Sequence, residues 1–112
     1  MPACVLQTGY WRSAQALWRR ALAVTSGNYF AHNNLGYELF LIGRREEALE
    51  QYRLSLEAKP DNPEALNNLG YALLFAGRPA EAVAPLERAA RLRPGSPVIR
   101  RNLELARGHA RP

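Results

Sequence analysis

Asparagine recurs at positions 34, 68 and 102, one every 34 residues. An asparagine amide offers a donor and an acceptor together, so it can pair with one peptide unit of an extended chain. Repeated at a fixed interval, it would hold a peptide backbone with little regard to sequence. The same three residues could instead cap or cross-link neighbouring helices, and both uses stay open at this level. Bond-making chemistry has no comparable set. His32 falls at an inward position and His109 in a terminal tail. Cys4 has no histidine placed by the pattern to activate it. The chain has no metal-ligand spacing and no glycine loop that would cradle phosphate. Glu46 and Glu47 open a helix, where acids favour the dipole. The residue types therefore point to binding, with no enzyme activity, cofactor or metal expected.

The asparagines belong to a wider recurrence. Asn-Asn-Leu-Gly-Tyr stands at 33–37 and again at 67–71. The same offset relates Gly9, Gly43 and Gly77, then Ala14, Ala48 and Ala82, then Pro60 and Pro94, then Leu35, Leu69 and Leu103. A fixed period of 34 marks a stack of one small unit, which buries its core between neighbours and presents a surface.

Apolar residues at three- and four-residue steps predict helices throughout, and no stretch alternates with the period of a strand. Residues 10–25 form the first, with Ala14, Leu17, Trp18, Ala21 and Leu22 on one stripe. The others are expected at about 29–41, 45–58, 63–75, 79–92 and 97–108. Asn28 and Ser96 suit N-caps, Pro63 suits a first helical position, and Gly43 and Gly77 suit helix ends. In the third helix Ala48, Tyr52, Ser55 and Leu56 form the inner face. Pro85 lies inside the fifth and should kink it locally. The expected organisation is a short, poorly ordered segment 1–9, a half repeat 10–28, full repeats at about 29–62 and 63–96, a terminal helix 97–108, and a tail 109–112.

The chain has 112 residues, one cysteine and no apolar run of membrane-spanning length. Its start lacks the features of a signal peptide, so a soluble, cytoplasmic rather than secreted protein is expected. The net charge of +5 is uneven: residues 88–112 carry seven arginines against Glu104 alone, leaving +6 there and −1 elsewhere. Such an end can attract phosphates, acidic proteins or a membrane surface, though a solvated Arg-rich helix has the same composition.

Helix pairs of this period resemble the tetratricopeptide repeat family, in its bacterial type. The places of the family pattern hold His32, Leu35, Gly36, Leu39, Ala48, Tyr52 and Pro60 in one unit and Leu66, Leu69, Gly70, Leu73, Ala82, Leu86 and Pro94 in the next. Gly9, Ala14, Trp18 and Ala21 match a second half-unit, Asn102 and Leu103 a first half, so the likeness spans about residues 9–105. The family's large aromatic is replaced by His32 and Leu66. The resemblance implies an all-α fold, a right-handed solenoid of antiparallel helix pairs, with two full repeats and flanking helices. The small Gly36, Gly70, Ala48 and Ala82 would let paired helices cross closely, with Leu35, Leu69, Tyr52 and Leu86 filling the space between them.

The resemblance further implies a concave groove lined by the first helix of each pair. Its candidates are Phe30, Asn33, Asn34, Tyr37 and Leu41, then Glu64, Asn67, Asn68, Tyr71 and Phe75, then Val98, Arg101, Asn102 and Leu105. The partner would be a peptide or protein. The asparagine series resembles a ladder found in the repeat region of a sugar-transferring enzyme. The family's clamp for C-terminal carboxylates is not intact, because Asn33 and Tyr37 stand in two of its places; Arg101 supplies the groove's cation. Trp11 would leave a sticky N-terminal face that favours self-association. Two readings compete with the groove. One is a soluble segment of a larger membrane glycosyltransferase-like protein, since residues 10–22 resemble repeats that follow the membrane part of some bacterial ones. The other is nucleic-acid or anionic-surface binding through the Arg-rich end, whose phosphate contacts would make binding fall steeply with salt.

Overall fold

A computed structural model describes residues 28–110 together with Ala16, Leu17 and Arg19. Those three are helical and lie within the expected first helix; Cys4, Trp11, Trp18 and the self-associating face lie outside the described residues. Among the described residues the fold is all-α, as the resemblance implies. Five helices follow in order: α1 (Tyr29–Leu41), α2 (Arg45–Ala58), α3 (Pro63–Phe75), α4 (Pro79–Leu92) and α5 (Pro97–Ala110). They fall into two compact units that meet in sequence at Ala58 and Lys59. In the first, α1 packs on α2; in the second, α4 packs on both α3 and α5.

The helix ends follow from local chemistry. At the start of α1 the Asn28 side chain accepts from the Ala31 amide at 2.9 Å. Asn62 does the same for α3, accepting from Glu64 at 3.2 Å just before Pro63. Ser96 Oγ accepts from Ile99 ahead of α5. These side chains satisfy amides that have no partner within the helix. Arg78 contributes no side-chain cap to α4; it reaches forward to the Glu81 carboxylate with two nitrogens, at 2.6 and 2.8 Å.

At the other ends, α1 and α3 close identically. The Arg44 amide donates to the Leu39 carbonyl at 2.9 Å and the Gly43 amide to that of Phe40 at 3.1 Å. Arg78 and Gly77 repeat this toward Leu73 and Leu74 at 2.9 and 3.2 Å. The nested pair of bonds requires a left-handed residue, and Gly43 and Gly77 supply φ of +86° and +75°. α5 runs two residues past its expected end at 108, with Arg107 in the last turn, where a cation complements the dipole. α4 continues through Pro85, which removes the one amide bond that Glu81 would have accepted.

The helix pairs are held by close crossings. A methyl group added at Gly36 would lie 2.7 and 2.8 Å from ring carbons of Tyr52 and 3.2 Å from the Ala48 carbonyl. At Gly70 it would meet the Leu86 isobutyl group, with its two methyls at 2.7 and 2.9 Å. The same step along α5 brings Glu104, which is exposed; among the described residues no helix follows α5 to demand a glycine there. Tyr52 and Leu86 are thus counterparts, each buried against the glycine of the preceding helix. Leu35 is buried as well, whereas Leu69 is half-buried. On α2 the inner face is Ala48, Leu49, Tyr52 and Ser55; Leu49, three residues before Tyr52, shares that face, and Leu56 is only half-buried. The Ser55 hydroxyl donates to the Tyr29 carbonyl at 2.7 Å, tying α2 to the start of α1.

Gly70→Ala, which in an exposed helix would gain about 1 kcal/mol of propensity, is expected instead to lose about 1–3 kcal/mol in urea unfolding, because Leu86 must move. Gly77→Ala should lose roughly 1–2 kcal/mol for its backbone angle. Adding Leu86→Ala should abolish the Gly70 penalty and leave the Gly77 penalty unchanged. Burial, and after it the charge of Tyr37, raises the Tyr52 phenol well above its ordinary value of 10.0. The stabilisation is complete below pH ~10, where folded and unfolded phenol are both protonated, and falls by about 1.4 kcal/mol per unit as pH rises past that point. Alkaline unfolding followed by circular dichroism should therefore be shallower in Tyr52→Phe.

Candidate functional site

The exposed apolar residues are not scattered. On α1, Phe30, Tyr37 and Leu41 lie at steps of seven and four and are all exposed, Phe30 by 60%. On α3 the same stripe carries Tyr71 and Phe75, and on α5 Val98 and Leu105. A globular helix normally turns such residues inward. Here the buried face of each helix is a different one: Ala31, Leu35 and Leu39 on α1, Ala65, Leu66, Gly70 and Leu73 on α3, Ile99, Leu103 and Ala106 on α5. Each of these helices thus has one apolar face in the core and a second in solvent.

The second unit shows what the exposed faces build. Tyr71 and Phe75, four residues apart, bring their ring centroids to 4.7 Å at 55°. With Leu74, Pro79 of α4, and Leu105 and His109 of α5, they line a cavity of about 480 Å³. Its size lies within the range of small-molecule and side-chain pockets. Leu74, Pro79 and His109 were not among the sequence candidates; the four-residue spacing from Arg101 through Leu105 to His109 is the signal that could have found the last. His109, expected in the tail, is helical and lies on the cavity wall.

The asparagines divide. Asn102 is 6% exposed, and its amide nitrogen donates to Asn67 Oδ1 at 2.9 Å, joining α5 to α3. Asn33 is 7% exposed. Asn34, Asn67 and Asn68 are half-buried, while Glu64 and Arg101 are exposed. No buried side-chain nitrogen or oxygen among the described residues lacks a hydrogen-bond partner. Asn102 and Asn67 therefore act as a cross-helix link, one of the two uses the spacing allowed. Pairing fixes the amides' orientation: Asn102 retains its carbonyl oxygen and Asn67 its NH₂ group for further bonds.

His32 sits half-buried with Nδ1 2.8 Å from Gln51 Oε1, so the ring nitrogen donates across the α1–α2 pair. No group of three or more metal-ligating side chains occurs among the described residues. No described helix is long and apolar enough to cross a membrane. In the Arg-rich end, Arg88 pairs with Asp61, Arg93 with Glu64 at 3.7 Å, and Arg107 with Glu87 at 2.9 Å.

A family model described as tetratricopeptide repeat matches residues 6–63 and again 42–97. The chain belongs to the tetratricopeptide repeat family. The second such domain of human RPAP3, solved in complex with an HSP70 peptide, superposes with a TM-score of 0.81 at 22% identity, over 91% of this chain and 85% of that one. The first such domain of Spaghetti (RPAP3), bound to an HSP90 peptide, superposes with a TM-score of 0.84 at 17% identity, over 95% and 87%. At these identities the likeness is one of fold. In sequence, the mouse protein O-mannosyl-transferase TMTC4 is 40% identical over 50 residues, which is 45% of this chain and 7% of that protein.

Asn102→Ala is expected to cost about 1–3 kcal/mol, because it leaves the Asn67 carbonyl unpaired. In a double-mutant cycle with Asn67→Ala, urea unfolding should show the two losses to be non-additive by about 0.5–1.5 kcal/mol.

Proposed function

We propose that this protein is a non-catalytic interaction module that holds an extended peptide of a partner protein against the exposed faces of α3 and α5 in its second unit. The observation that carries this reading is the second apolar face: Tyr71 and Phe75 on α3 with Leu105 on α5, exposed beside partly buried amides. Aromatic side chains with a polar edge are what interfaces favour. An amide such as that of Asn68 suits the backbone of such a peptide, because it can donate to a carbonyl and accept from an N–H. Peptides bound by the two structurally similar domains above lend the reading support by analogy of fold.

A second reading has an observation of its own. The partial identity to an O-mannosyl-transferase favours a repeat segment that accompanies a sugar-transferring enzyme, where it would present a peptide to chemistry carried out elsewhere. The Arg-rich end favours nucleic acid much less, since three of its six described arginines already face carboxylates.

Panning a random peptide display library on the immobilised chain should enrich peptides that bind the Asn68→Ala/Tyr71→Ala variant at least about tenfold more weakly, a loss of about 1.4 kcal/mol. Their affinity should change little between low and moderate salt. A steep fall with salt would mark phosphate-type binding instead, and failure to enrich any peptide would remove the proposal.

A further inference from the structure

The geometry points to a particular peptide: we propose that the cavity between α3 and α5 takes one large apolar side chain, and that an acidic residue two positions from it pairs with Arg101. This rests on the peptide-binding reading and adds what the peptide must contain.

The apolar half of the argument is the cavity itself. Two aromatic rings, Leu74, Leu105 and Pro79 enclose about 480 Å³. Phe75 is 52% exposed at its rim. Covering such a surface with a Phe, Trp, Leu or Met side chain is favourable in proportion to the apolar area removed from water. The charged half is Arg101, which lies one turn before Leu105 on α5 and is exposed. Arg88, Arg93 and Arg107 each face a carboxylate, but Arg101 has no carboxylate partner among the described residues. Even after those three pairings residues 88–112 keep a net positive charge, so an acidic ligand is favoured over a basic one.

Spacing joins the two halves. Four residues of helix advance about 6 Å from Arg101 to Leu105. Two residues of an extended peptide advance about 6.6 Å and place both side chains on the same side. An acid and an apolar anchor separated by one residue therefore match Arg101 and the cavity together, with the intervening side chain turned outward. A free C-terminal carboxylate plays no part in this match.

The test uses the full chain. Peptides enriched from the random display library are sequenced, resynthesised with blocked ends, and titrated by fluorescence anisotropy. The enriched set should carry Asp or Glu two positions from a large apolar residue, in one order or the other. Phe75→Ala and Arg101→Glu should each weaken the blocked peptides by at least about tenfold. Replacing the peptide's acid with Lys should restore binding to Arg101→Glu, which a change in folding alone would not do. Arg101→Glu alters an exposed side chain and keeps the test open should Phe75→Ala prove unstable. Enriched peptides without this pattern, or ones indifferent to both variants yet lost with Asn68→Ala/Tyr71→Ala, would overturn this inference and leave peptide binding standing. No enrichment at all would overturn both.

Discussion

Everything else in the structure depends on two helix pairs touching backbone to side chain. Gly36 lies under the Tyr52 ring and Gly70 under the Leu86 side chain, at distances that admit no further carbon. The contact fixes the separation and the rotation of each pair at once. Because a helical residue can face only one direction, pinning one face inward commits the others. Once Leu35, Gly36 and Leu39 face α2, Tyr37 and Leu41 are turned to solvent. The exposed apolar stripe is thus a geometrical result of the crossing, and its persistence on α3 and α5 follows from the period.

The cavity in the second unit shows how such a stripe becomes a site. One helix alone offers a row of side chains. Two helices held by a common neighbour offer walls: α4 packs on both α3 and α5, and its first residue, Pro79, lines the cavity between them. The amide link from Asn102 to Asn67 then sets the distance between the walls. Buried amide pairs of this kind are costly if half-satisfied and specific if complete; this one leaves no buried atom unpaired.

Much of the architecture was legible in the sequence because the signals are local. Asn28, Asn62, Ser96, Gly43 and Gly77 act within one turn of where they stand, and the helices begin and end beside them. Glycine, alanine and leucine at one period carried the resemblance that implied the paired helices. What the sequence did not settle depends on rotation and on side-chain reach. Leu49 and Leu56 share one face of α2, seven residues apart, yet only Leu49 is fully buried, a difference in depth that the repeat pattern does not record. Asn102 could have pointed at a ligand or at Asn67, and only the spacing of α3 and α5 decides. Pro79 reaches the cavity from α4, a placement that no one-dimensional pattern records.

The two helix-ending glycines lead to a separate point about handedness. Nothing lies within 4 Å of where a side chain would begin at Gly43 or Gly77, so the positive φ is the whole reason for glycine there. A mirror-image amino acid prefers that angle as strongly as natural ones avoid it. D-alanine incorporated at either turn would meet no neighbouring atom, keep the nested amide bonds, and narrow the range of conformations available to the unfolded chain, a gain of the order of 0.4–1 kcal/mol per site. In these hairpins the ribosome's restriction to L-residues, more than any lack of room, is what leaves that flexibility in the chain.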